Sequence, residues 1–393
     1  MRLVDISEFF SDFGGGVRTY AHQKLEASAK AGIETVIIAP GPADRREKRL
    51  GGEIFWVRSP VLPFDHRYHL FADMRPVREI LDQLAPQIVE GSSTWRGGWM
   101  AASWRGDAAK ALFLHQDPVA VYPQSLISPA ISAARVDDLC FWFWSYMRRL
   151  ARRFDEIVVP SESFARRILR AGVDAPFIAP LGVDKSAFSH ELRRETTRRE
   201  MLAACGVADP EAPLFICVGR HHLEKRLPMV IDAHQRFCAA RPAGLFVIGD
   251  GPMWRSVNRA AIRAAGVFVA GPESDRPSLA RKLASADFLV HGGAAETFGL
   301  VVAEALASGL PIVAPDVGGA SDLAHPAFSE SYAYGRADAL AAAMLRIVAR
   351  DRAELSLAAR AGSHRLRTPD EHFARLFDRY ASLVSGRSLR RAA

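Results

Sequence analysis

The amino-acid sequence predicts an α/β protein divided into two domains. At 393 residues the chain is longer than one ordinary hydrophobic core supports. Its 49% hydrophobic and 24% charged residues are the proportions of a globular protein in water. Short apolar runs recur between stretches of helical pattern, beginning with a strand, a glycine-rich turn, a helix and a second strand.

Residues 3–6 read as that first strand. Phe13-Gly14-Gly15-Gly16-Val17-Arg18 follows, then a helix from about Thr19 to Ala31 closed by Gly32, and a second strand over 34–39. Glycines at such a turn let a backbone come close to a ligand. The spacing is not the dinucleotide fingerprint and no acidic residue closes the second strand, which disfavours a nicotinamide site. The plainer reading of the same glycines is a tight turn only. Residues 54–57 form a further strand, and 60–74, rich in aromatics, His and Pro, have no local assignment. A helix ends over 80–84 and 87–90 is a strand. Residues 111–115 make a strand ending in His115. Ligands of open α/β sheets lie beyond the carboxyl ends of strands. His115 is therefore placed for function, although a lone His is more often a hydrogen-bonded surface residue.

From Cys140 to Arg153, consecutive aromatics stand beside four arginines, Arg148, Arg149, Arg152 and Arg153. This composition suits a helix resting on an anionic bilayer. Because the aromatics are consecutive rather than striped, a packed helix with a solvated basic face is the favoured reading. Residues 156–159 are a strand, Ser161 caps the helix after it, and 177–184 form the last strand and exit of the first domain. Residues 185–200 are polar and highly charged and read as a hinge region.

A strand over 214–218 opens the second domain, with Arg220 and Lys225 between it and the next helix. Two fixed cations there stabilise a diphosphate leaving group without a metal; either alone is commonly a surface charge. His221 and His222 have no third ligand at zinc spacing. Strands follow over 245–248 and 267–270. The stretch from Ala286 to Ala314 organises the rest. Phe288-Leu289-Val290 is a buried-type strand, a glycine-bearing loop follows, residues 300–307 are helical, Gly309-Leu310-Pro311 stops the helix, and 312–314 is the next strand. The start of that helix offers unpaired N–H groups and the positive end of its dipole, where a phosphate fits. Glu304, a little over one turn in, reaches a ribose diol, and Glu296, before the helix, reaches a sugar beyond the phosphates. Singly, each is as well explained as a solvated helix carboxylate or an N-terminal helper; the pair in one strand–loop–helix is far more specific. An Ala-rich helix over 336–350, a final helix over 372–383 and a loose basic tail over 385–393 complete the chain.

Glu296-Thr297-Phe298-Gly299-Leu300 through Glu304, with Gly309-Leu310-Pro311-Ile312-Val313-Ala314 and Gly318-Gly319, resembles the signature of the retaining glycosyltransferase family 4, or glycosyl transferase group 1. The resemblance implies the GT-B fold: two Rossmann-like domains facing each other across a cleft, with the C-terminal helix crossing back to the first. It sets an acceptor-binding domain at 1–183, a hinge region at 184–210, a nucleotide-sugar-binding domain at 211–368, and the crossing helix and basic tail at 369–393. It also implies roles. Gly15 and Gly16 lie over the donor phosphates and beside the acceptor. His115 positions the sugar rather than acting as a free base. Arg220 and Lys225 hold the diphosphate and Glu296 the sugar hydroxyls. Phe298, Gly299 and Leu300 set the helix start against the phosphates, Glu304 takes the ribose, and the nucleobase lies near Ser274 and Asp275.

The implied reaction moves a hexose, mannose or glucose, from a GDP- or UDP-hexose to a lipid, glycan or other envelope-related acceptor, with retention. The acceptor hydroxyl attacks from the leaving-group face and the diphosphate takes its proton. No cofactor beyond the nucleotide-sugar is expected and, without an Asp-x-Asp motif, no metal. An epimerase or hydrolase on the same fold needs an additional acid/base set, and none is identifiable. A non-catalytic nucleotide-sugar-binding scaffold is expected to have lost cations or carboxylates, and both sets are present. The net charge of +7 suits nucleic acid, anionic lipid or a polyphosphate ligand; with no nucleic-acid module, the last two lead. The four scattered cysteines read as reduced thiols without metal spacing. No apolar run has the length of a membrane span and the first residues read as no signal peptide. The expectation is a cytoplasmic protein, with peripheral contact at the inner face of the membrane as its open extension.

Overall fold

The computed structural model describes residues 1–11, 16–63, 66, 68–127 and 131–392. They form two compact units. The first comprises Met1–Gln116, Cys140–Leu181 and Pro369–Ala393, the second Asp117–Leu139 and Gly182–Thr368.

The sheet of the first unit contains β1 (Arg2–Ile6), β2 (Glu34–Gly41), β3 (Arg45–Arg49), β4 (Gly52–Arg58), β5 (Ile88–Gly91), β6 (Ala109–Phe113), β7 (Glu156–Val159) and β8 (Phe177–Ile178). Their order is β3-β4-β2-β1-β5-β6-β7-β8. All pairings are parallel except β3 on β4. Strands covered on both faces need continuous apolar runs, and Leu3, Val4, Ile37, Ile38, Val89 and Leu112 are all fully buried. β3 escapes sequence reading because Arg45-Arg46-Glu47-Lys48-Arg49 is charged throughout. It is an edge strand, where charge discourages pairing with other chains. Arg45 and Arg46 also lie over the rings of Trp56 and Phe55, each 4.4 Å from the ring centre.

Several local expectations are corrected here. The first helix, Gly16–Ala31, begins before Thr19. The strand expected to end in His115 stops at Phe113. The tail expected to be loose continues the helix Pro369–Ala392, and Arg387 lies 3.1 Å from Asp155. In the helix Phe141–Ala151, Phe143, Trp144, Met147 and Leu150 are buried, whereas Phe141 and Trp142 are 70% and 58% exposed.

A buried polar cluster ties the first unit together. Lys24 Nζ reaches Asp5 at 2.6 Å and Glu90 at 2.8 Å. Ser92 Oγ donates to Asp5 at 2.7 Å, and Tyr380 Oη, from the last helix, donates to Glu90 at 2.8 Å. With two carboxylates on one ammonium, burial pushes the Asp5 carboxyl up while Lys24 opposes the shift.

The second unit has six parallel strands: β9 (Leu214–Val218), β10 (Gly244–Ile248), β11 (Val267–Val269), β12 (Phe288–Val290), β13 (Ile312–Pro315) and β14 (Ser329–Tyr332). Their order is β11-β10-β9-β12-β13-β14. Phe215, Phe237, Leu245, Phe288, Val290 and Val313 share one core. Residues expected to form a hinge fold as part of this unit: a turn at His190–Leu192 and the helix Glu195–Ala204. Their charge has a tertiary cause. Asp287, just before β12, accepts from Arg198 Nη2 at 2.8 Å, Arg352 Nη1 at 2.7 Å, Arg193 Nη2 at 3.2 Å and the Leu214 amide at 3.0 Å. The four cysteines are free, and burial pushes the Cys205 and Cys217 thiols up to about 12. Among the described residues no helix is long and apolar enough to cross a membrane, and no group of three or more His, Cys, Asp or Glu could hold a metal ion.

Candidate functional site

In the second sheet the chain runs from β9 outward through β10 and β11, then returns to β12 and runs the other way. β9 and β12 are neighbours, with Ile216 beside Leu289. Such a reversal opens a crevice beyond the carboxyl ends of the two strands, where open α/β sheets bind ligands. β9 delivers Arg220 to Lys225 to that point, and β12 delivers His291 to Gly299.

The first of these segments ends in the short helical turn Leu223–Lys225. Arg226, with φ of 47°, breaks that turn from the helix Leu227–Cys238. A non-glycine residue there is strained and is held from outside: Arg226 Nε donates to Tyr334 Oη at 2.7 Å, with the guanidinium 4.7 Å from the ring centre. The second segment is pinned at its start and end. The His291 amide donates to Val313 O at 2.8 Å, Tyr332 Oη donates to His291 O at 2.9 Å, and the Gly319 amide donates to Glu296 O at 2.7 Å. The two segments touch so closely that a Cβ on Gly292 would lie 2.5 Å from the carbonyl oxygen of Lys225.

At this junction Lys225 Nζ and the Glu296 carboxylate form an ion pair, with side chains 17% and 20% exposed. Burial drives the Lys225 ammonium down to about 8, the Cys217 sulfur opposing and Arg220 adding to the shift. The touching carboxylate holds the proton on, so Lys225 is an ammonium at neutral pH. His291 stands behind the pair, its Nε2 3.8 Å from Glu296 Oε1. Burial and then Lys225 pull the imidazole down to about 3, against a smaller lift from the Gly293 backbone. Arg220 is solvent-exposed at the end of β9, and His222 is paired with Glu224.

Gly299, with φ of 94°, starts the helix Leu300–Ala307 and offers no side-chain cap. Its left-handed backbone is the conformation glycine adopts freely. The helix start therefore keeps its amide donors and the positive end of its dipole. Phe298 is buried, so what it presents at this point is backbone. Glu304 is 12% exposed, and Arg276 Nη2 lies 3.1 Å from its Oε1. Burial pushes the Glu304 carboxyl up while Arg276 opposes the shift. Arg276 opens the helix Arg276–Ser285, capped by Asp275, whose carboxylate accepts from the Ser278 amide at 3.0 Å. Ser274 and Asp275 are exposed, and Arg276 links that loop to Glu304.

In the first unit Gly15 lies outside the described residues, and Gly16 is exposed as the first residue of its helix. His115 lies beyond β6, stacked on Phe113 at 4.2 Å and edge-on to Tyr20 at 4.7 Å. Burial and the Lys24 charge pull it down to about 3, so it is neutral. Glu8, beyond β1, is fully buried; its Oε2 accepts from Ser93 Oγ at 2.7 Å and the Gly97 amide at 3.1 Å.

Thus Lys225, Glu296, Gly299 and Glu304 belong to one strand–switch point of the second unit, and His115 and Gly16 belong to the first unit. Sequence reading misses His291, Arg276 and Glu8. His291 stands inside the organising stretch but, alone, resembles any core histidine. Arg276 directly follows Ser274-Asp275, the one local signal for it. Glu8 has no local signal.

Two family models match the chain, one described as Glycosyltransferase Family 4 over residues 14–187, the other as Glycosyl transferases group 1 over residues 212–350. A GDP-mannose-dependent alpha-mannosyltransferase of Mycobacterium tuberculosis is 29% identical over 83% of this chain and 82% of its own length. A GDP-mannose-dependent alpha-(1-6)-phosphatidylinositol dimannoside mannosyltransferase of the same species is 28% identical over 89% of this chain and 88% of its own. Among solved structures, sucrose-phosphate synthase from Thermosynechococcus elongatus superposes with a TM-score of 0.75 at 19% identity, covering 98% of this chain and all of the other.

Proposed function

The chain belongs to the retaining glycosyltransferase family 4, the glycosyl transferases of group 1, with the GT-B fold, and on that footing we propose that it transfers mannose from GDP-mannose to a hydroxyl of a glycolipid or glycan acceptor. The carrying observation is the Lys225–Glu296 pair beyond β9 and β12, with Glu304 just over one turn into the helix that follows. The choice of GDP-mannose is supported by the specificity in both relatives' names.

The second unit holds the donor. Glu304 accepts from the ribose diol, the loop at Ser274 and Asp275 faces the base, and the diphosphate lies on the helix start at Gly299 and Leu300. As the diphosphate arrives, Lys225 exchanges its carboxylate for phosphate oxygens, and Glu296 is released to accept from sugar hydroxyls. The bond from the anomeric carbon to phosphate oxygen then breaks. Arg220, Lys225 and the helix dipole neutralise the departing charge, the interaction that grows in the transition state. The acceptor oxygen bonds the anomeric carbon on the face being vacated, and its proton passes to the departing phosphate oxygen. No protein base is required, and His115, Gly15 and Gly16 keep the sugar- and acceptor-directed roles that the family resemblance implies. Divalent metal is not required, because two cations and the helix start supply the positive charge.

A lipid-linked acceptor is supported by the second relative's phosphatidylinositol dimannoside. Exposed Phe141 and Trp142 beside the arginines of their helix suit peripheral contact with an anionic inner leaflet from the cytoplasm. The test is to incubate the protein with GDP-mannose, GDP-glucose, UDP-glucose or UDP-galactose, with mannosylated glycolipid or oligomannoside acceptors, with and without EDTA. GDP release from GDP-mannose, undiminished by EDTA and yielding an α-linked product, is expected. Absence of release from every donor, or a β-linked product, overturns the proposal.

A further inference from the structure

We infer that the helical face carrying Tyr122, Leu126 and Ile127 is the acceptor platform beside the donor site, and that the acceptor is a glycolipid whose sugar lies on Tyr122 and whose apolar part runs along Leu126 and Ile127. The inference rests on the donor-site reading above and names the acceptor class for that same site.

These residues fall in the stretch expected to form the first domain, yet Asp117–Leu139 packs with the second unit. The segment opens on Asp117, which is buried and whose Oδ1 accepts from the Val119 and Ala120 amides, both at 3.0 Å. A π-helical turn, Ala120–Gln124, follows and runs into the short helix Ser125–Ile127. Such turns are rare and collect at functional sites. Here the turn lies against Leu223–Lys225. Ala120 and Val121 pack on Ala295, the residue before Glu296. Tyr122 meets the His222 ring edge to face at 6.1 Å, in the segment between Arg220 and Lys225. Side chains fix the backbone from within: Gln124 Nε2 donates to Ala133 O at 3.2 Å and Asp137 Oδ1 at 3.0 Å, and Ser125 Oγ donates to Ala120 O at 2.8 Å.

On this fixed turn Ala120, Val121, Gln124 and Ser125 are buried, whereas Tyr122, Leu126 and Ile127 are 44%, 66% and 37% exposed. Spacings of four and five residues bring the three onto one helical face. A single exposed apolar residue needs no reason, but a contiguous group beside a ligand site marks a binding surface. Its position selects the occupant. The donor sugar is held at Lys225 and Glu296, so the group that meets Tyr122 next to them is the one that receives the sugar. A sugar ring offers a flank of C–H groups to the electron-rich face of an aromatic ring. Leu126 and Ile127 offer nothing to hydroxyls; they gain by covering hydrocarbon attached to that sugar.

The test uses the full chain with GDP-mannose and one mannosyl head group in two forms: a short-chain glycolipid below its micelle concentration and a water-soluble oligomannoside. The variants are Tyr122→Ala, Tyr122→Phe, and Leu126→Ser combined with Ile127→Ser. Readouts are acceptor KM, kcat, GDP affinity by calorimetry, and thermal midpoint. We expect the wild-type KM to be at least tenfold lower for the glycolipid. Tyr122→Ala should raise KM for both acceptors at least tenfold and Tyr122→Phe at most threefold, with GDP affinity within twofold of wild type in each. The Leu126→Ser, Ile127→Ser pair should raise the glycolipid KM at least five times as much as the oligomannoside KM. Equal wild-type KM values, or a Leu126→Ser, Ile127→Ser effect alike for both acceptors, overturns the inference. So does Tyr122→Ala with acceptor KM within twofold of wild type, or with GDP affinity lost in step, which would make Tyr122 a prop for the donor loop. An effect of the serine pair seen with glycolipid in vesicles and absent with the short-chain form makes the face a membrane contact and also overturns it. If Tyr122→Ala does not fold, Leu126→Ser alone, at the most exposed of the three residues, decides with the same two acceptors. A wild-type chain inactive with every donor sinks the donor-site reading, and this inference with it; an active wild type with unaltered variants sinks the inference alone.

Discussion

Lys225 and Glu296 neutralise each other before any ligand arrives, so each side chain is stored on the other in a low-dielectric crevice. Lys225→Ala removes a cation from the leaving group and leaves Glu296 unpartnered by it. We expect GDP affinity and kcat both to fall, kcat by about 10²–10³, the scale of losing one preorganised charge stabiliser. Glu296→Gln has a different signature: kcat falls similarly, while GDP affinity holds or rises because Lys225 is released. Calorimetry with GDP beside steady-state rates separates the two outcomes, and equal loss of affinity in both variants would contradict the exchange. Arg276 sets a second residue-level test. Glu304 must be ionised to accept from a ribose diol; burial raises its proton affinity and Arg276 opposes the rise. Removing that opposition in Arg276→Ala should move the acid loss of GDP affinity to higher pH, read from dissociation constants between pH 5 and 8. An unchanged profile would separate Arg276 from the nucleoside. Both glutamates were legible in the sequence because their spacing within one strand–loop–helix is local. Arg276 was not, because it meets Glu304 from another segment, and His291 was not, because a single buried histidine has no local pattern that sets it apart.

The elements divide in the same way. Ser161 was readable as a cap, and its Oγ accepts from the Phe164 amide at 3.3 Å. Ser161→Ala should cost about 1 kcal/mol of stability, seen as a lower urea midpoint with sugar transfer unchanged. Gly292→Ala tests the contact between loops. Its Cβ would meet the Lys225 carbonyl at 2.5 Å, so the turn at Leu223–Lys225 must shift. Transfer should fall at least tenfold in a protein that still melts cooperatively; full activity would mean the two loops are not coupled. β3 and the helix Glu195–Ala204 were hidden from sequence reading for a common reason. Their residues are charged, one as an edge strand packed through cation–π contacts, the other held through Arg198 on Asp287. Charge in a local window reads as loop or hinge, and burial of the opposite charge lies outside the window.

At the scale of the whole molecule, burial pulls five imidazoles down among the described residues, His22 and His221 and, furthest, His115 and His291 to about 3 and His234 to about 4. The unfolded chain takes up their protons as pH falls through about 6.5, and the folded chain only near the lower values. Stability from these groups is therefore complete above pH 7 and is lost as pH falls from about 6.5 toward 4. Asp5, Glu8 and Glu304, pushed up by burial, act in the opposite sense, so the clean observable is a difference between variants. His234 lies away from the site on the helix Leu227–Cys238. Between pH 7 and pH 5, wild type should lose about 2 kcal/mol relative to His234→Gln, measured by urea unfolding at each pH. Parallel pH curves for the two proteins would refute the burial assignment. The same shifts predict a transfer rate without an imidazole step between pH 5.5 and 8, since neither His115 nor His291 changes charge there.

The sequence by itself determined the two α/β domains, most of their parallel strands, the cap at Ser161 and the placing of Glu296 and Glu304 in one strand–loop–helix. Each rests on a signal confined to a few neighbouring residues: a continuous apolar run, a cap, a glycine, a fixed spacing on one helix. Tertiary structure alone decided which cation meets which carboxylate. Lys225 reaches Glu296 because β9 and β12 are neighbours at the reversal of strand order. Arg276 reaches Glu304, and three arginines reach Asp287, from segments brought together by the same sheet. The physical reason is range. Hydrophobic periodicity is set by the geometry of one element, whereas the strength of an ion pair depends on distance and on how much water its surroundings exclude, and both are properties of the folded chain.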